Sequence, residues 1–249
     1  MGRLNNKTAV ITGGTTGIGF ASAKQFIEEG ARVIITGRNQ ERLSEAAEKL
    51  GKNAIAVKAD VLSLADLDRL ATKVSEEFGK LDVLFANAGS GYFSPLEQVD
   101  EKFYDNQFDI NVKGVFFTVQ KLVGLLNPGA SVILNASAVN QKGAAMGSIY
   151  FATKAAVRSF ARSFAAELGD RRIRVNSLSP GIVRTDFQNK LDLPQGAFEG
   201  FIDAVVQTAP LHREGEVDEI AKAAVFLASD DSSYMSASDM VVDGGYMNV

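Results

Sequence analysis

The chain has no cysteine and a single histidine, His212. Without cysteine there is no disulfide, no thiolate nucleophile and no cysteine-ligated zinc. One histidine rules out a histidine-clustered metal site and disfavours Ser-His-Asp hydrolysis, so no metal is expected. Acid–base chemistry near neutral pH then falls to Tyr, Lys or a carboxylate with a displaced pKa, and His212 reads as structural. A strong positive balance is also missing. The formal charge is −4 and no basic run occurs, which is a poor footing for nucleic acid or an anionic membrane. Long apolar runs are absent as well. The most apolar stretch, Val115 to Leu126, is broken by Gln120 and Lys121 and is too short to span a bilayer. The segment from Met1 to Lys7 leaves no room for a signal peptide before the first strand-like run, and Asn6 breaks the myristoylation pattern. Cytoplasm is the expected location.

What is present is an ordinary globular balance, 46% hydrophobic and 22% charged over 249 residues. Short apolar runs rich in Val and Ile predict strands at Thr8–Thr12, Arg32–Thr36, Ala54–Lys58, Val83–Ala86, Ser131–Ala136, Arg174–Leu178 and Met240–Val242. Between them, helical spacing predicts helices over Ile18–Glu29, Gln40–Leu50, Ser63–Phe78, Asp109–Leu126, Ser148–Leu168 and Glu216–Leu227. Gly30, Gly51 and Gly79 mark helix stops, and Ser63 with Asp66 forms a variant capping box. Strand and helix in alternation imply parallel strands with crossover helices. The expectation is an α/β fold: one doubly wound domain, residues 1–249. Phe187 to Pro210 reads as a long irregular insertion.

Thr12-Gly13-Gly14-Thr15-Thr16-Gly17-Ile18-Gly19 falls between the first strand and the first helix. Glycines there let backbone N–H groups approach a pyrophosphate, and the helix that follows aims its positive dipole end at it. The loop lacks the Lys-Ser/Thr of a P-loop, which disfavours NTP hydrolysis. An ordinary Gly-rich turn is the plain alternative. Other unusual residues cluster at strand ends, where open parallel sheets bind ligands. They are Arg38, Asp60-Val61, Asn87-Ala88-Gly89, Ser137 and Pro180-Gly181. Arg38 stands where NAD-binding domains usually carry a carboxylate. A guanidinium there suits the 2′-phosphate of NADP, so NADP(H) is expected in preference to NAD(H).

Tyr150 and Lys154 lie four apart at the start of an apolar helix, so phenol and ammonium reach one pocket. A free Tyr titrates near 10, and a neighbouring cation is expected to lower that value. Bringing it to neutrality needs roughly 4 kcal/mol of differential interaction, shared among Lys154, an oxidised nicotinamide and partial burial. Ser137, thirteen residues earlier, could hydrogen-bond the carbonyl oxygen that Tyr150 protonates.

These residues resemble the short-chain dehydrogenase/reductase family over essentially the whole chain. The matching motifs are Thr12-Gly13-x-x-x-Gly17-Ile18-Gly19, Asn87-Ala88-Gly89, Asn111, Ser137, Tyr150-x-x-x-Lys154, Pro180-Gly181 and Asp243-Gly244-Gly245. The resemblance implies a Rossmann-type sheet of seven mainly parallel strands with helices on both faces. It implies that Tyr150 exchanges the proton, Ser137 positions the substrate oxygen, and Lys154 lowers the Tyr pKa and bonds the nicotinamide ribose. Asn111 would hold a water linking Lys154 to solvent. Thr15 and Thr16 join the glycine loop around the cofactor; Asp60 and Val61 match residues near the adenine, Asn87 and Gly89 those beside a ribose. Ile182, Val183 and Thr185 follow Pro180-Gly181, with Thr185 on the carboxamide. Many NADP-dependent members carry a basic residue where Thr15-Thr16 stands, so the cofactor preference rests on Arg38.

The implied reaction is reversible reduction of a ketone or aldehyde by hydride transfer. By the resemblance a substrate lid covers about 187–210. Phe187, Leu191, Leu193, Phe198, Phe201 and Val205, with Tyr92 and Phe93, favour an apolar or aromatic carbonyl substrate. Phe116, Phe117, Leu122, Leu126, Phe160 and Phe164 exceed what one sheet contact requires, and the resemblance implies a homotetramer built on their helices. Two other readings stand beside this. Arg158, Arg162, Arg171 and Arg172 could meet an acyl carrier protein, making the chain a 3-oxoacyl-[acyl-carrier-protein] reductase. A nonenzymatic NADP-sensing module would explain the glycine loop and Arg38 but leave Ser137, Tyr150 and Lys154 as coincidence.

Overall fold

A computed structural model describes residues 2–185 and 197–249. The strands are β1 (Thr8–Ile11), β2 (Arg32–Gly37), β3 (Ala54–Lys58), β4 (Leu81–Ala86), β5 (Leu126–Asn135), β6 (Arg174–Pro180) and β7 (Asp239–Val242). They form one sheet in the order 3-2-1-4-5-6-7, parallel at every pairing. The order reverses between β1 and β4, and this switch point opens the crevice used below. The helices are α1 (Gly17–Glu28), α2 (Gln40–Leu50), α3 (Leu64–Phe78), α4 (Glu101–Phe108), α5 (Gly114–Leu122), α6 (Ser148–Leu168), α7 (Ala197–Thr208) and α8 (Val217–Ala228).

Side chains alternate across the strands and so build two cores. Ile11, Ile35, Phe85 and Ile133 pack with Phe26 of α1 and Val225 of α8 on one face. Val10, Ile34, Leu84 and Val132 pack with Leu70 of α3, Leu122 of α5 and Val157 of α6 on the other. Both sets are buried to within a few percent. Cover on both faces is why these strands are apolar throughout.

All seven expected strands form, most with ends shifted by one or two residues. The main correction is β5, which starts at Leu126 rather than Ser131; Leu126 pairs with Leu81 across a register irregularity. The helix expected over Asp109–Leu126 is also broken. Asp109–Lys113 is a π-helical turn, α5 ends at Leu122, and Val123–Leu125 is a 3-10 turn. Two helices were not expected. Helix α4 is capped by Asp100, whose carboxylate accepts from Phe103 N–H at 2.7 Å, but it buries only Gln107, so its apolar period is weak. Helix α7 lies inside the stretch expected to be irregular, where Ile202, Val205 and Ala209 are buried at helical spacing. Phe187, Leu191 and Leu193 lie outside the described residues, as do the side chains of Phe198 and Phe201. Ser63 caps α3 as expected, accepting from Asp66 N–H at 3.2 Å. The Asp66 carboxylate bonds the N–H of Asp60 at 2.9 Å, which stiffens the end of β3 and lowers the Asp66 pKa.

Candidate functional site

The carboxyl ends of β1 to β6 surround a cleft of about 420 Å³. Its floor begins in the glycine loop. Gly17 has φ +56°, a left-handed conformation that side chains resist, and it lets the chain enter α1 directly. A Cβ on Gly19 would lie 2.3 Å from the carbonyl oxygen of Gly13, so only glycine fits where helix and loop meet. Thr16 precedes α1 without a side-chain cap, and no acid occupies the first turn. The uncapped N–H groups there form a ready anion site, with Gly17, Ile18 and Gly19 lining the cleft.

The loop is fixed from the side. Thr12 Oγ1 accepts the N–H groups of Asn87 and Ala88, each at 3.0 Å. Asn87 Nδ2 donates back to the carbonyls of Thr12 (3.0 Å) and Gly13 (3.3 Å). Asn135 Nδ2 then donates to Asn87 Oδ1 at 2.9 Å, so the ends of β1, β4 and β5 share one network. Gly14 N–H bonds Thr36 O at 3.0 Å, and Gly37 abuts Thr15. This sets the loop beside Arg38, which is exposed and lines the cleft. Among the described residues Arg38 has no ion-pair partner. Asp60 and Val61 line the same end, with Asp60 Oδ1 turned back to Leu62 N–H at 3.0 Å.

The other end holds the titratable groups. Ser137 caps the 3-10 turn Ala138–Gln141 that follows β5. Tyr150 and Lys154 project from the first turns of α6. Ser137 lies beside the Tyr150 phenol, where its hydroxyl favours the charged form. Lys154 is 5% exposed; its Nζ donates to Asn135 O at 2.8 Å and lies 5.8 Å from the Tyr150 ring centre. Burial pushes the Tyr150 phenol up to about 12, with the nearby Ser137 hydroxyl opposing it. Burial also brings the Lys154 ammonium down to about 8. The lowering expected from Lys154 and an oxidised nicotinamide together is not supplied by the protein alone: desolvation raises the phenol, and Ser137 opposes it.

Every residue expected to touch a nucleotide lines this cleft, from Gly13, Thr15 and Thr16 to Asn87, Ala88 and Gly89. Pro180, Gly181, Ile182, Val183 and Thr185 close it beyond β6, and a Cβ on Gly17 would touch the Thr185 methyl at 3.3 Å. Asn111 does not line it. Its side chain is spent on Ser90 N–H (2.9 Å), Ser90 O (2.7 Å) and Thr153 Oγ1 (3.1 Å), pinning the π-turn to α6. Tyr92, Phe93 and Val205 line the cleft as expected; Asn106, Ile110 and Tyr246 line it unforeseen. Tyr246 had a signal, since it directly follows Asp243-Gly244-Gly245. Asn106 had none, because α4 itself was unseen; Ile110 lies in the π-turn, where a continuous helix was expected. His212 is exposed outside the lining.

A closed glycine cradle at one end and a phenol–hydroxyl–ammonium group at the other define a nucleotide-dependent enzyme site. Residues 13–247 match a family described as Enoyl-(Acyl carrier protein) reductase. "Oxidoreductase asL5" of Sarocladium schorii is 47% identical, covering 99% of this chain and 98% of that one. Galactitol 2-dehydrogenase of Agrobacterium fabrum is 38% identical, with 98% of each covered. A solved short-chain dehydrogenase/reductase from Serratia marcescens superposes with a TM-score of 0.90 at 29% identity, covering 98% of this chain and 99% of its own. The chain belongs to the short-chain dehydrogenase/reductase family of oxidoreductases, which use nicotinamide cofactors.

Proposed function

We propose that this protein reversibly reduces a ketone or aldehyde to an alcohol with NADP(H). The observation that carries the reading is the meeting of Tyr150, Ser137 and Lys154 at one end of a cleft whose other end is a glycine cradle. The cradle fits a dinucleotide: Gly17, Ile18 and Gly19 line the cleft at the uncapped start of α1, where backbone N–H groups suit a pyrophosphate. The nicotinamide cofactor supplies the hydride. This chain's residues do the rest. Ser137 Oγ donates to the substrate oxygen and holds it against the Tyr150 hydroxyl. Tyr150 gives that oxygen its proton, or accepts it from an alcohol. Lys154 keeps a positive charge beside the phenol, and its anchor on Asn135 O fixes the distance. Asn111 acts from behind, holding the Ser90 loop and α6 together.

The unpaired guanidinium of Arg38 at the end of β2 supports NADP(H) over NAD(H). Tyr92, Phe93 and Val205 support an apolar or aromatic carbonyl, although the galactitol 2-dehydrogenase relative is named for a polyol. The acyl-carrier reading loses two of its four arginines as free contacts. Arg158 pairs with Asp239, and Arg171 bonds the carbonyls of Val123 and Leu126. Phe116, Phe117 and Phe160 form a half-buried aromatic cluster with Phe164, whereas Leu122, Leu126 and Phe164 belong to the core. That cluster supports a homotetramer, which a monomer in size-exclusion chromatography refutes. The reaction is tested by following absorbance of the reduced nicotinamide against a panel of ketones and aldehydes with both cofactors. Turnover, faster with NADPH, is expected. Binding of nucleotide without turnover on any carbonyl would favour a sensing module.

A further inference from the structure

The reacting groups sit on two elements: the turn that Ser137 caps, and α6. A second buried polar cluster joins these elements, and the reaction above makes no use of it. Its centre is Asp239, the first residue of β7, whose side chain is 9% exposed. Asp239 Oδ1 accepts from Ser177 Oγ at 2.7 Å and Ser179 Oγ at 2.5 Å, both on β6. Oδ2 accepts from Asn140 Nδ2 at 3.0 Å and faces Arg158 Nε at 3.3 Å. The Arg158 contact is an ion pair by distance but lacks hydrogen-bond geometry at Nε. Asn140 lies in the Ser137 turn: its N–H donates to Ser137 O at 3.0 Å, and its Nδ2 also donates to Ser179 Oγ at 2.8 Å. Arg158 lies on α6, one turn past Lys154 and two past Tyr150.

A buried carboxylate is costly, and replacing such a group with a well-packed apolar residue is often neutral or stabilising. A β6–β7 pair in need of stability alone would do as well with a Val here. What the carboxylate provides is direction: each of its oxygens is committed, and its partners come from the Ser137 turn, the Tyr150 helix and the neighbouring strand. We propose that Asp239 is a positioning residue whose carboxylate, through Asn140 and Arg158, holds the Ser137 turn in register with α6 and so keeps the Ser137 hydroxyl beside the Tyr150 phenol. The proposal rests on the reaction read above and deepens it.

The test uses Asp239→Asn, which keeps the shape but sets an amide donor among three donors and removes the charge opposite Arg158. Asn140→Ala is the second variant; it cuts the turn's links to Asp239 and Ser179, leaves the bonds of Asp239 to Ser177 and Ser179 in place, and carries every readout if Asp239→Asn fails to fold. Misplacement of reacting groups by about 1 Å costs on the order of 10²-fold. A fall in kcat of that order is expected, with the NADPH Kd unchanged. In a Ser137→Ala background the same change should cost less than about twofold, because both act through one hydroxyl. An equal loss in both backgrounds means general destabilisation and overturns the proposal. Crystal structures of wild type and variant give a readout independent of turnover: the Ser137 Oγ–Tyr150 Oη separation should change by about 1 Å, and an unchanged separation also overturns the proposal. If the wild type reduces no carbonyl, the reaction reading falls by itself, and the crystallographic comparison still decides the positioning role.

Discussion

The two ends of the cleft are made of different material. The nucleotide end is backbone and small residues: Gly13, Gly17, Gly19 and the Thr12–Asn87 lattice. The end proposed to react is three polar side chains, Ser137, Tyr150 and Lys154, held by burial and by the Lys154 anchor on Asn135 O. One end is defined by atoms that must be absent, the other by atoms that must be present. Added bulk therefore damages the first, whereas loss of a single oxygen or nitrogen damages the second.

The sharpest break is Tyr150→Phe. It removes one oxygen, and turnover should fall about 10²–10⁴-fold, while NADPH binding by fluorescence titration stays as in the wild type. Near-normal turnover would remove Tyr150 from the proton transfer. At the opposite end, Gly19→Val should act through bulk. The new Cβ would collide with Gly13 O and Asn87 Nδ2, 2.3 and 2.6 Å away, where backbone cannot yield cheaply. A loss of about 1–3 kcal/mol of stability and of measurable nucleotide binding is expected in thermal melts and titrations; a normal melt with tight binding would contradict the cradle.

Arg38→Leu sharpens the comparison, because it tests a cation at an end otherwise built mostly of backbone and small residues. Charge-assisted hydrogen bonds contribute about 1.5–3 kcal/mol. The KM for NADPH should rise roughly tenfold to hundredfold, with that for NADH nearly constant, in steady-state assays with both cofactors.

The smallest effect is on stability against pH. Folded Lys154 titrates near 8 against 10.5 for the ordinary side chain. Between those values the unfolded chain binds the extra proton, so this group makes stability rise with pH. Tyr150 is raised from 10 to about 12, so its contribution is complete below 10 and is lost as pH climbs toward 12. Chemical denaturation from pH 8 to 10 should show the wild type gaining on Lys154→Met; parallel curves would mean that Lys154 is not desolvated.

Much of this was legible beforehand because it follows local rules. Val33-Ile34-Ile35 and Val132-Ile133-Leu134 are apolar on both faces, which only a covered parallel strand needs. Gly79 and Ser63 punctuate α3 as their chemistry requires. Asn111 shows the limit. It was expected to hold a water linking Lys154 to solvent; the structure adds that its side chain clamps Ser90 and Thr153, partners 21 and 42 residues away that no spacing announced. The break it accompanies, a π-turn in place of a continuous helix, left no trace in the apolar period. Helix α4 was hidden for the opposite reason: it buries too little to create a period.

The sequence by itself determined the alternation of strand and helix and the glycine-rich loop, and it marked Ser137, Tyr150 and Lys154 as candidates, because these depend on residue type and short spacing. Only the tertiary structure decided the protonation balance of Tyr150 and Lys154 and the assembly of Asp239 with Asn140 and Arg158. Both arise from burial and from contacts between residues 81 and 99 positions apart, and desolvation and long-range hydrogen bonding have no signature in a linear chain.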